Sequence, residues 1–132
     1  MKVIDGKDAV LGRLASFAAK EALKGEEVAV VNCEEINISG NKTMIKADFA
    51  EKRSRIGHSK RDPRHSRTSE KIVKRVIRGM LPDHRLGRGK QALKRIKCYK
   101  GIPKEFEEAK KIEMANKNLI KKSKVKEFVK WK

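Results

Sequence analysis

The amino-acid sequence predicts an α/β domain, a small and mainly parallel sheet that carries a basic, arginine-rich loop and helix. Three observations lead there. Apolar runs of strand length alternate with stretches of helical period over the first fifty residues, the pattern of a parallel sheet with right-handed crossovers. At 132 residues the chain has the length of one domain, able to bury about two thirds of its unfolded surface. Ten of its eleven arginines fall between Arg53 and Arg95, so a second texture is laid onto the first.

Lys2–Asp5 reads as a short strand. Asp8 is suited to cap a helix on which Leu11, Leu14, Ala15, Ala18 and Ala22 recur at helical spacing up to Gly25. Val28–Asn32 is a continuous apolar run, as expected of a strand buried on both faces. Ile36–Ser39 either extends it or follows as a short connector. A second helix starts near Ser39 or Gly40 and carries Met44, Ile45, Asp48 and Phe49. From Ser54 to Thr68 only Ile56 is large and apolar, so this stretch reads as a loop ordered by an anionic partner. Ser69 caps a third helix over Glu70–Arg78, with Ile72, Val73, Val76, Ile77 and then Met80 on one side. Pro82 and Gly87 bracket a turn, Lys90–Lys94 is a short fourth helix, and Arg95–Lys100 is a strand ended by Gly101 and Pro103. Pro103 opens a helix with Glu105, Glu107 and Glu108 early and Lys110 and Lys111 late, the order a helix dipole favours. Val125, Val129 and Trp131 suggest a final strand or extended docking segment. The expected organisation is one domain over residues 1–132, with a basic insertion at about 52–69 and a variable segment at about 104–132.

The charge is concentrated. Residues 52–104 hold 19 Lys/Arg against 3 Asp/Glu, a net of +16, whereas residues 1–51 carry −2 and residues 105–132 carry +4. Like charges repel and destabilise a compact state, so a fold alone does not call for this imbalance. A polyanionic partner does, and arginine is the residue suited to phosphate forks and base stacking. Other classes find less support. No apolar run approaches the ~20 residues of a membrane span, and the basic third helix has a β-branched apolar side suited to a protein core rather than to a lipid surface. Met1-Lys2-Val3-Ile4 runs straight into structure without a signal-peptide pattern, so the expected location is cytoplasmic. Cys33 and Cys98 read as small side chains in a reducing compartment, with a disulfide as the alternative. His58 and His65 lack metal-ligand spacing and sit among arginines. Gly40-Asn41-Lys42-Thr43 lacks the spacing of a phosphate-binding loop. Gly87-Arg88-Gly89 is no dinucleotide fingerprint; its glycines give a turn backbone freedom, or let backbone approach phosphate. Asp5, Asp8, Glu34 and Glu35 form no catalytic constellation, and neither an enzymatic role, a cofactor nor a small-molecule substrate is expected.

Several segments together resemble the large-subunit ribosomal protein L-thirteen family: LGRLAS at 11–16, VNCEEINISGNK at 31–42, GMLPDHRLGRGKQ at 79–91 and RIKCYKG at 95–101. The most diagnostic run is Gly79-Met80-Leu81-Pro82, then Leu86-Gly87-Arg88, then a strand ending at Tyr99-Lys100-Gly101. The short link between the first two strands is similar to the archaeal branch. The resemblance implies a three-layer α/β/α domain that acts as a structural part of the large ribosomal subunit, binds its rRNA directly, supports assembly and translation, and touches neighbouring ribosomal proteins. A free-standing nucleic-acid-binding regulator is the alternative. The residues expected to meet RNA are Arg53, Arg55, His58, Lys60, Arg61, Arg64, His65 and Arg67 in the loop. Lys71, Lys74, Arg75 and Arg78 follow on the third helix, and Arg85, Arg88, Lys90 and Lys94 around the turn and fourth helix.

Overall fold

In the computed structural model, which describes residues 1–55, 65–116 and 118–129, the apolar run forms the strand β2, Val28–Val31, and all four of its residues are buried. The strand β1, Lys2–Asp5, pairs with it in parallel, Lys2 opposite Val28 and Ile4 opposite Val30. Two further strands complete a parallel sheet of order β4-β2-β1-β5, with β4 at Ile96–Cys98 and β5 at Lys111–Glu113. Side chains alternate across the pleat. Ile4, Val28, Val30 and Ile96 enter one core, while Val3, Ala29 and Val31 enter another that Phe106, Tyr99 and Ala109 cover.

The first core is roofed by helices. The helix α1, Leu11–Leu23, buries Leu11, Leu14, Ala15, Ala18 and Ala22, the stripe its period predicts, and Gly25 follows its end at φ +102°. Asp8 does not cap it. Val10 holds the capping position with no side-chain bond, and Asp8 adopts φ 55°. Its amide donates to the Glu35 carbonyl at 3.3 Å and its own carbonyl accepts from Asn116 at 3.1 Å, so tertiary backbone bonds set its conformation in place of the local cap. Within α1, Glu21 is buried but bound by Lys2 and by Lys24 at 2.7 Å. Those two ammonium groups hold its carboxyl below the usual carboxylate range, so the buried charge is paired.

After a 3₁₀ turn at Cys33–Glu35, Ile36–Ser39 neither extends β2 nor serves as a mere connector: Asn37–Ser39 is a separate strand, β3. Gly40 then turns at φ +127°, and the helix α2, Lys42–Ser54, begins with the Asn41 side chain accepting from the Thr43 amide at 3.0 Å. The helix α3 spans Ser69–Gly79, one residue longer at its end than its pattern suggests. Thr68, not Ser69, precedes it, and neither side chain bonds back to cap it. Ile72, Val73 and Ile77 are buried as the pattern requires, whereas Met80 is 44% exposed. The helix α4 runs from Gly87 to Arg95, three residues ahead of expectation.

The helix expected after Pro103 is reduced to a 3₁₀ turn, Lys104–Phe106. An eight-residue helix is marginal on its own. Here Phe106 turns in to seal the second core, and the backbone beyond pairs with the open edge of β1, Ile112 opposite Ile4. The C-terminal segment does dock: Lys122–Lys124 forms β6, antiparallel to β3 with Lys124 opposite Asn37, and a 3₁₀ turn follows at Val125–Phe128. Val125 reaches the first core, and Phe128 stacks on Phe49 of α2 at 5.2 Å. Trp131 lies outside the described residues.

Both cysteines are free, Cys33 buried and Cys98 half-buried. A hydrogen bond to Cys98 and then burial push the Cys33 thiol up, away from the reactive thiolate.

Candidate nucleic-acid interface

The period of α3 puts Lys71, Lys74, Arg75 and Arg78 on the side opposite its buried residues, at i, i+3, i+4 and i+7. The four line one groove of about 300 Å³, with Ser66 at one end and Leu93 of α4 across from them. Among the described residues, no carboxylate lines it. Arg75 has a further role, since it also borders two cavities on the other flank of α3 toward α2. That bordering arises because Phe49 and Val76 leave a gap between the two helices, on which none of α2's thirteen residues is fully buried.

The basic residues from Arg53, in the last turn of α2, to Arg67 fall into four groups. Arg53 is engaged by the protein itself. Its guanidinium lies 5.3 Å from the Phe49 ring centre and donates to the carbonyls of Ser66, at 3.3 Å, and of Phe128. Burial, then the nearby Arg67 charge, lowers its pKa. Arg55, at the end of α2, is exposed and paired with Glu51 at 2.9 Å, and Arg67 is exposed. His58, Lys60, Arg61 and Arg64 lie outside the described residues. His65 packs edge-on against Phe49, ring centres 5.4 Å apart. Arg85, Arg88, Lys90 and Lys94 are all exposed on the turn and on α4.

Two glycines shape that turn for different reasons. Gly87 adopts φ +55° as α4 begins. Gly89 is buried, and a Cβ there would meet the backbone oxygens of Pro82 and of Asp83, the latter at 2.5 Å. The close approach its missing side chain allows is therefore to the protein's own turn, not to an outside phosphate. Sequence reasoning passed over Lys52, Ser66 and Leu93. The spacing of Lys52 from Asp48 and Phe49, at i+4 and i+3, is the signal that places it beside the gap.

Burial, reinforced by the Arg75 charge, lowers the pKa of His65 from its ordinary value of 6.5. The imidazole is then neutral at pH 7. Because the folded state disfavours its protonation, this group's stabilising increment is complete above about 6.5 and is lost as pH falls through the lower folded value. An NMR titration of the His65 ring should find its midpoint below 6.5. A midpoint above 6.5 would contradict the packing described for His65.

Among the described residues, no group of three or more His, Cys, Asp or Glu could hold a metal, and no helix is long and apolar enough to cross a membrane. The fold and the row of cations on α3 define a class, the small basic α/β domains. Residues 1–105 match the family described as Ribosomal protein L13. A relative from Methanopyrus kandleri, named Large ribosomal subunit protein uL13, is 48% identical over 81% of this chain and 66% of its own length. Proteins of the same name from Dictyostelium discoideum and Methanosphaera stadtmanae are 44% and 43% identical, covering 83% and 92% of this chain. The chain belongs to the ribosomal protein L13 family, whose members are structural and not enzymatic. It spans 88% of the Methanosphaera relative but only 59% of the Dictyostelium one.

Proposed function

We propose that this protein is a structural constituent of the large ribosomal subunit in the cytoplasm. It binds large-subunit rRNA directly, supports subunit assembly and translation, and meets neighbouring subunit proteins. The observation that carries this reading is the groove of Lys71, Lys74, Arg75 and Arg78, four cations aligned on one helix face, with no carboxylate among the described residues of its lining. Such a row follows a phosphate backbone, and its binding free energy comes largely from released counterions. Exposed Arg67, Arg85, Arg88, Lys90 and Lys94 extend the field, and His58, Lys60, Arg61 and Arg64, outside the described residues, are proposed to bind RNA as well. RNA shape is what such a surface recognises, through phosphates and splayed bases. Arg53 acts here as a positioning residue that ties α2, the loop end and the C-terminal segment together.

Filter binding to large-subunit rRNA across a salt series tests the reading. Replacing Lys71, Lys74 and Arg78 together by Ala should reduce the slope of log affinity against log salt by about 2–3, at 0.7–0.9 per phosphate contact. An unchanged slope would remove the groove from the interface. Equal affinity for duplex DNA at matched salt would favour a free-standing regulator.

A further inference from the structure

Two cavities on the α2 flank of α3 share three side chains. The larger, about 530 Å³, is a groove with an apolar floor of Ile38, Ile45, Phe49, Ile72 and Val76. Lys52, His65 and Arg75 stand in its lining, and the same three with Arg55 line a second cavity of about 210 Å³. An apolar room thus opens onto a small cationic one. Met44, 71% exposed, also lines the room, a flexible and polarisable side chain that fits itself to a flat ring.

This pairing has a chemical match. A nucleotide carries an apolar, flat base and an anionic phosphate a few ångströms away. A buried apolar side chain from a protein partner would use the floor but give the cations nothing to bind. Asp48 is the one carboxylate among the described residues of the lining, and it is held by Lys52 at 2.6 Å in an exposed pair. Exposed pairs of this kind are weak, so Lys52 exchanges readily to a phosphate. The volume lies in the range of small-ligand sites, about 300–1,000 Å³. Phe49 already stacks on Phe128, so the base meets the aliphatic floor and Met44 rather than an aromatic face.

We propose that the groove between α2 and α3 receives one unpaired nucleobase of the bound RNA, and that Lys52, Arg55 and Arg75 hold the phosphate beside it. The inference rests on the RNA-binding reading above and adds to it the place where a base, and not only backbone, meets the protein.

Methyl-labelled full-length protein, titrated at low salt, tests it. The probes are pentaadenylate, an abasic pentamer of equal charge, and inorganic phosphate. Pentaadenylate should move the Met44, Ile45 and Val76 methyl resonances upfield through ring currents and bind about tenfold more tightly than the abasic pentamer, the gain expected for burying one flat base against apolar side chains. The other two probes should leave those methyls in place. Met44→Trp, which fills the room from an exposed position, should abolish the preference for pentaadenylate; Arg75→Gln should weaken both pentamers. Unmoved methyls, with large-subunit rRNA still bound in the filter assay, would overturn the groove assignment and leave the RNA reading standing. Loss of rRNA binding in that assay would instead sink the reading itself. Methyl shifts produced by N-acetyltryptophanamide and not by pentaadenylate would give the groove to a protein side chain.

Discussion

Gly89→Ala is expected to lower the melting temperature by about 12 °C. The added Cβ would lie 2.5 Å from the Asp83 carbonyl oxygen and nearer still to that of Pro82. Both are backbone atoms, so no rotamer change relieves the clash. Either the turn between α3 and α4 lifts or α4 shifts from the core, where Ala92 is fully buried. Overpacking of this kind costs about 3 kcal/mol at the upper end of its range, and a domain of this size loses about 4 °C per kcal/mol. Gly79→Ala is the matched control. That glycine closes α3 with nothing within 4 Å of its missing Cβ, so the exchange should be neutral or stabilising by up to about 1 kcal/mol. Calorimetric melts of the pair decide it; a Gly89→Ala melt within about 2 °C of the parent would mean the turn does not pack on α4 as described.

Phe128→Ala should release α2 while leaving the sheet closed. Because no residue of α2 is fully buried, the helix depends on what lies over it. The C-terminal segment supplies that cover: Phe128, 4% exposed, lies parallel to Phe49, Glu127 binds Lys42, and the Phe128 carbonyl accepts from Arg53. Farther back, Glu35 binds Lys124 and also Lys126 at 3.3 Å. Truncating a buried phenylalanine costs about 3–5 kcal/mol. Here the loss falls on a local opening rather than on global unfolding, because Phe128 lies outside the core that β1, β2 and α1 build. Amide exchange over residues 42–54 should therefore quicken by about two orders of magnitude, with β1 and β2 unchanged. Equal loss of protection in β2 would show that α2 and the sheet open together. The groove between α2 and α3 should vanish with the helix, and pentaadenylate preference with it.

These contacts mark where the sequence was legible and where it was not. β2 could be read because a strand buried on both faces must be apolar throughout, and Val28–Val31 is. The α3 stripe could be read because one helix period sorts Ile72, Val73 and Ile77 from Lys71, Lys74 and Arg78. The start of α4 was obscured because Gly87 and Gly89 speak for a turn; their helical role follows from a left-handed entry and a close backbone approach, neither of which a local pattern records. β5 was obscured because its partner, the edge of β1, lies more than a hundred residues away, and Lys110 and Lys111 look like the end of a helix. Arg53 shows the same limit within the interface. Composition counts it with the other arginines, but only the fold turns it toward Phe49 and Phe128.

Ile4 and Val125, both fully buried, belong to one core. A chain made from its N-terminus cannot complete that core until residue 125 has emerged. At about 5–20 residues per second, the first strand waits roughly 6–25 s for its last neighbour. During that interval the apolar faces of β1, α1 and β2 lack part of their cover, and the cations of α3 are already outside. The nascent chain thus meets surrounding polyanions before its body has closed, and its escape from premature capture depends on how quickly the final segment reaches Ile36, whose carbonyl receives the Val125 amide at 2.9 Å.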